Sequence, residues 1–190
     1  MIIRHYEEKD KEKVRFICLN SEGPCKMTPD ERLFILTTYC DYFIEQEGRN
    51  CFVAVDENDE AIAYIICAEN FDNYKETFLA EYPVRLDENM RVWDGYAREM
   101  SLASFKLQEK HKKDFPAHLH IDVLPEYHRK GIGHQLVDAL SAHLKEKGIP
   151  GVMLTVGGGN LRGQAFYKKY GFEHLETIGD DVAFGLRLLG

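Results

Sequence analysis

The chain has 190 residues, 44% of them hydrophobic and 29% charged, with a formal net charge of -8. This is the composition of a folded domain large enough for a core without staples, and it excludes intrinsic disorder. The acidic balance argues against nucleic-acid partners and against an anionic membrane surface.

Residues 2–6 (IIRHY) read as a first strand, followed by a helix over 10–20 with Val14, Ile17 and Cys18 on one face. Thr28-Pro29-Asp30-Glu31 forms a capping box with proline at the first helical position. The helix it opens, 29–46, places Leu33, Leu36, Cys40 and Phe43 on one side, and Gly48 is the expected stop. CFVAVD (51–56) and AIAYIICAE (61–69) are strands joined by the turn ENDE. The stretch 70–116 is a long excursion between strands, with helices expected near 74–81 and 95–113. Beyond Pro116 the pattern sharpens. HLHIDV is a strand, 132–147 is an amphipathic helix with Leu136, Val137, Leu140 and Leu144 inward, and GVMLTV is a strand. A short helix over 161–170 and two closing strands complete the chain. This order predicts a single α/β domain over residues 1–190, a mixed sheet with helices on both faces.

The five cysteines, Cys18, Cys25, Cys40, Cys51 and Cys67, match no zinc or CxxC spacing. The odd count and the absence of an apolar leader point to free thiols in a reducing compartment, and a cytoplasmic location is the expectation. No run reaches transmembrane length.

The most informative stretch is LPEYHRKGIGHQL, residues 124–136. A strand ends at Val123, and Gly131 and Gly133 stand at the mouth of the next helix. The first turn of a helix exposes unpaired N–H groups and favours negative charge. Arg129 and Lys130 add positive charge in an acidic chain, so a phosphate or pyrophosphate is expected there. A dinucleotide fingerprint wants three glycines near the first strand, and a P-loop wants GK[ST] after its last glycine, where this chain has His134-Gln135. Neither fits.

In context, VLPEYHRKGIG resembles motif A of the GCN5-related N-acetyltransferase (GNAT) superfamily, V-x-P-x-x-[QR]-x-x-G-x-[GA], through Val123, Pro125, Gly131 and Gly133. NLRGQAFYKKYGF is similar to motif B, with Asn160, Tyr167, Gly171 and Phe172 in register. The two blocks cover about residues 117–172 in the right order. The stretch HLHIDVLPEYHRKGIG also resembles the acetyltransferase-like region found with some protein O-GlcNAcases. One departure is His128, where the family has glutamine or arginine; a histidine can still offer a ring N–H to a phosphate.

The resemblance implies a mostly antiparallel central sheet whose one parallel strand pair splays apart to bind acetyl-CoA. It places the cosubstrate on Val123, Leu124, His128, Arg129, Lys130, Gly131, Ile132, Gly133 and His134, with Asn160 holding the loop or bonding to CoA. It implies that the Val123 backbone stabilises a developing oxyanion, and that Tyr167 protonates the departing thiolate. The alternative for Tyr167 is a core position beside Phe166 and Phe172, against which its place within motif B weighs, and Asn160 could equally be a plain helix cap.

Alternation along the strand puts His118, His120 and Asp122 on one face. They could hold a general base, with Asp122 and His120 leading, or simply be satisfied polar residues beneath the excursion; no metal site is expected from one strand. The excursion is where the amine acceptor should bind, with Tyr82, Trp93 and Tyr96 either walling a groove or forming core. The implied activity is N-acetyl transfer from acetyl-CoA to a primary amine of a small molecule or protein. The alternative is a catalytically silent acyl-CoA-binding module. A homodimer through an exposed strand edge is compatible with either.

Overall fold

A computed structural model describes residues 1–23, 26–89 and 105–189. Strand β1 (Ile2–His5) leads through a 3-10 turn into α1 (Lys11–Asn20). The next helical run is α2 (Pro29–Leu36), a π turn (Thr37–Asp41) and α3 (Tyr42–Gln46). The Thr28 hydroxyl accepts from the Glu31 N–H, and the Glu31 carboxylate accepts from the Thr28 N–H at 2.7 Å, the reciprocal capping box read from the sequence. Gly48 is not the stop. The run ends at Gln46, and Gly48 opens a separate 3-10 turn.

The hairpin β2 (Phe52–Val55) and β3 (Ala61–Ala68) follows as expected. Helix α4 (Phe71–Asn89) is longer than the pattern suggested and carries Pro83 inside it. Proline removes one backbone donor and marks a helix boundary in sequence, but Phe71, Tyr74, Phe78, Tyr82 and Leu86 are buried along one face and hold the helix through it. Of the second expected helix only 105–111, here α5, falls within the described residues; Trp93 and Tyr96 lie outside them. The chain closes with β4 (Ala117–Val123), α6 (Ile132–Glu146), β5 (Gly151–Gly157), α7 (Leu161–Tyr170), β6 (Glu173–Ile178) and β7 (Asp181–Arg187).

The seven strands form one sheet in the order β1-β2-β3-β4-β5-β7-β6, antiparallel except for β4 with β5. One face carries Ala63, Ile65, Cys67, Ala117 and Leu119 under Ile132, Leu136, Val137, Leu140 and Leu144 of α6. Each such fully buried aliphatic side chain contributes roughly 1.5–3 kcal/mol. The other face carries Tyr64, Ile66 and Ala68 under α1 to α4, with Val14, Ile17, Phe43 and Tyr74. No helix of the described residues is long and apolar enough to cross a membrane.

Phe115 clamps the entrance to β4. Its ring lies where a Cβ on Gly151 or Gly185 would stand, at 2.7 Å from each. Backbone is close as well, since the Asp114 carbonyl would be 2.5 Å from a Gly151 Cβ. Gly151→Ala should therefore destabilise the domain by about 1–3 kcal/mol. Denaturant unfolding of the variant checks this, and an unchanged midpoint would refute the clamp.

Candidate active site

The site grows from an interruption in the sheet. Strand β4 is in register with β3 from Ala68↔His118 to Ala63↔Val123, with no bulge between. On its other side it meets β5 only at Ala117↔Val152 and His118↔Met153, while β5 stays paired with β7 to Gly157↔Asp181. Beyond His118 the two parallel strands part, and the edge of β4 is open. The Leu124 N–H bonds back to the Ile62 carbonyl on the β3 side at 3.1 Å. Alternation then turns the N–H and C=O of Val123 toward the gap.

At the end of the gap the chain makes a tight turn. Pro125–Tyr127 is a 3-10 turn, Arg129 has φ 62°, and Gly131, the N-cap of α6, has φ 77°. No side chain caps α6. Left-handed residues interleaved with right-handed ones gather successive N–H groups into an anion-binding concavity, continued by the free N–H groups of Ile132, Gly133 and His134. Arg129 and Lys130 are exposed, with the Lys130 ammonium 4.7 Å from the Tyr127 ring centroid. Leu124 and Ile132 bury their side chains in the two cores, leaving only backbone to the turn. The two glycines have different reasons. Gly131 supplies the left-handed conformation. Gly133 makes room for Phe166, whose ring would lie 3.0 Å from a Cβ there. His134 faces the same helix, its ring edge-on to Phe166 at 5.2 Å.

His128 lies elsewhere than a phosphate contact would require. Its Nδ1 takes a hydrogen bond from Arg162 Nη1 at 3.1 Å, and its Nε2 lies 2.8 Å from the Val123 carbonyl. Arginine only donates, so Nδ1 accepts and Nε2 carries the proton to Val123 O. Arg162 continues to Glu22 Oε1 at 2.8 Å. This chain ties the α1 end, the turn and α7 together across the mouth of the gap. Beside it, Glu22, Gly159, Asn160, Leu161 and Arg162 line an open depression. Asn160 caps α7, its Oδ1 accepting from the Gly163 N–H at 2.8 Å.

On the α1-to-α4 face, His118, His120 and Asp122 do share one side of β4, opposite Ala68, Ile66 and Tyr64. The buried Tyr64 hydroxyl donates a hydrogen bond to Asp122 Oδ2. Burial pushes the Asp122 carboxyl up to about 6, against the opposing pull of its Tyr64 and Ser21 hydrogen bonds. Burial drives His120 down to about 4 and His118 well below its ordinary value, so both rings are neutral near pH 7. The rings lie 3.3 Å apart at Nε2, and Gln108 Nε2 is 3.2 Å from His118. Phe43 and Tyr39 stand edge-on to His120, at 5.0 and 5.6 Å. Among the described residues no three His, Cys, Asp or Glu side chains gather as metal ligands would.

Tyr167 is buried against Phe172 and Phe184, and burial followed by the Asp122 charge raises its hydroxyl pKa. It is protonated at neutral pH and within electrostatic reach of Asp122. Tyr82 is core, bonding Glu45 at 2.9 Å. Cys67 is enclosed and its thiol pushed well up by burial. The sequence reading missed Tyr64, Ser21, Gln108 and Arg162. Only Arg162 carried a signal, its position inside motif B.

A sheet opened between two parallel strands, with bare helix N–H groups at the end of the opening, is the architecture of an acyltransferase. The chain belongs to the acetyltransferase (GNAT) family, whose model matches residues 16–172. Solved structures share the fold. SsHAT superposes with a TM-score of 0.86 and 22% identity, over 100% of this chain and 98% of its own. The polyamine N-acetyltransferase of Drosophila melanogaster, which forms N-acetylagmatine, gives 0.65 and 14%, over 98% of this chain and 99% of its own. The PaiA N-acetyltransferase of Thermoplasma acidophilum, in complex with coenzyme A, gives 0.61 and 18%, over 98% of each.

The titrating groups on β4 act on stability in opposite senses. The histidines hold protons less tightly folded than unfolded, so stability falls as pH drops from 6.5 to about 4. Asp122 holds its proton more tightly folded, so between about 6 and 3.8 it returns part of that loss. Asp122→Asn removes the return. Thermal melts from pH 6.5 to 4 should show a steeper acid-side fall in Tm for the variant, and parallel curves would contradict the assignment.

Proposed function

We propose that this protein is an N-acetyltransferase that uses acetyl-CoA and acetylates a primary amine by direct attack. The observation that carries the reading is the parting of β4 from β5 after His118, with the Val123 N–H facing the gap and the α6 N-terminus at its end. These residues fit the cosubstrate: an extended, amide-containing arm can bond the open β4 edge, and a pyrophosphate can take the N–H groups of 129–134. Arg129 and Lys130 supply the positive charge that His128, held by Val123 and Arg162, does not.

Acetyl-CoA, when bound, supplies an already activated thioester, so no covalent enzyme intermediate is needed. The Val123 N–H donates to the acyl oxygen as negative charge develops there, from a fixed position and at no reorganisation cost. Asp122 is an ionised carboxylate above pH 6 and accepts the proton of the amine, directly or through water. Tyr64 and Ser21 hold it in place. His120 is neutral and offers a second acceptor on the same face. Tyr167, protonated, hands its proton to the departing sulfur. The amine approaches over the face roofed by α2 to α5, where the excursion packs beside His118, and so the excursion shapes the acceptor site.

Thiol release from acetyl-CoA across polyamines, amino sugars, amino acids and lysine peptides tests the reading. Release with any acceptor supports it. Acetyl-CoA binding without release would support the silent acyl-CoA module, and no binding at millimolar concentration would refute both. With an acceptor in hand, kcat/KM should fall as pH drops through about 6, as Asp122 protonates. Asp122→Asn should lower it roughly 10²–10⁴-fold and abolish that limb. Tyr167→Phe should lower kcat by about tenfold or more, and an unchanged kcat at saturating acceptor would exclude the general-acid role.

A further inference from the structure

Behind His120 the polar face of β4 continues inward as an ordered array. His120 is half-buried, while His118, two residues earlier, and Gln108 of α5 are only 2% and 3% exposed. Gln108 Nε2 lies 3.2 Å from His118 Nε2, and the same His118 nitrogen lies 3.3 Å from His120 Nε2. Aromatic rings hold both imidazoles. Tyr74 stacks on His118 at 6.1 Å with Phe43 at 6.2 Å, and Phe43 and Tyr39 flank His120. The array is kept at a cost. Gln108 Oε1 and His118 Nδ1 are buried with no hydrogen-bond partner among the described residues. Buried polar atoms left unsatisfied destabilise a fold and call for a reason other than packing.

We propose that Gln108 is a positioning residue for acetyl transfer. Acting through His118, it fixes the proton of His120 on Nε2 and leaves His120 Nδ1 as a hydrogen-bond acceptor for the attacking amine. The order follows from what each atom can do. An amide nitrogen only donates, so His118 Nε2 accepts and is bare; a doubly protonated ring could not take that place. Neutral His118 therefore carries its proton on Nδ1. His120 Nε2 faces the same bare nitrogen, so it brings the proton that lies between the two rings. The remaining lone pair of His120 is on Nδ1, its state set by the bond made at the other ring nitrogen. Burial holds both rings neutral near pH 7 and so keeps the array in this state.

The effect on transfer rests on the proposed function; the order of the protons does not. A neutral primary amine brings two hydrogens and one lone pair. His120 Nδ1 can accept one hydrogen while Asp122, on the same face of β4, takes the other as the N–C bond forms and the C–S bond breaks. No proton passes to His120; its part is to aim the nitrogen lone pair at the acyl carbon. Gln108 touches neither cosubstrate nor amine in this scheme, and α5 acts on the reaction through two rings.

The test reads protons first and rates second. Long-range proton–nitrogen NMR spectra of the full chain, labelled with nitrogen-15 and held at neutral pH, should show His118 protonated at Nδ1 and His120 at Nε2. His118 protonated at Nε2, or His120 at Nδ1, overturns the array whether or not any amine is acetylated. Gln108→Leu removes the donor at similar size. His120 should then show both tautomers, and kcat should fall about tenfold while KM for acetyl-CoA stays within about twofold. Parental His120 signals in that variant, or altered signals with an unchanged kcat, overturn the positioning role. Gln108→Met, also without a donor and closer in shape, is read in the same way should the leucine variant not fold. The stated proton pattern in a chain that acetylates no amine upholds the array and overturns its part in transfer.

Discussion

The whole site depends on a parallel strand pairing that stops almost as soon as it starts. β4 is fixed on one side by β3 and β5 is fixed on its far side by β7, each in long antiparallel register. Between them only two residue pairs meet. Phe115, wedged against Gly151 and Gly185, secures the closed end. An unpaired strand edge inside a sheet leaves backbone donors and acceptors that must find partners. In this protein Val123 shows both solutions. Its carbonyl is satisfied internally by His128, and its N–H is left facing the gap.

A second constraint is electrostatic. β4 carries three titratable side chains on a face that packs against helices, where charge is poorly solvated. The protein keeps two of them neutral and lets the third, Asp122, hold a weakened charge among Tyr64 and Ser21. Perturbed groups of this kind gather where chemistry is done. The same burial that makes His118 a weaker base than an ordinary imidazole makes Asp122 a better base than an ordinary carboxylate. The π turn belongs to this arrangement. Its inserted residue lets Tyr39 meet His120 while Cys40 points into the core and Asp41 faces Arg15 at 3.5 Å.

Much of this was legible in the sequence. The capping box at Thr28, the hairpin of β2 and β3, the amphipathic α6 and the α7 helix follow from periodicity and capping chemistry, which are local. The two motif blocks located the gap and the turn. What stayed hidden has identifiable causes. Pro83 reads as a breaker, yet buried aromatics carry α4 through it. The π turn is invisible because Leu33, Leu36, Cys40 and Phe43 fit an ordinary helix as well. Gly133 and Gly131 look alike in the sequence but answer to a ring contact and to a backbone dihedral respectively.

The sequence by itself determined which segments are helices and strands, which face of β4 is polar, and where an anion would find bare backbone N–H groups. Those are matters of alternation, capping and turn chemistry within a few residues. Only the tertiary structure decided that Tyr64 and Ser21 hold Asp122 and that Arg162 and the Val123 carbonyl hold His128. Apart from Val123, each partner is distant in the chain, brought in by sheet register and helix packing, and no local pattern encodes such a meeting.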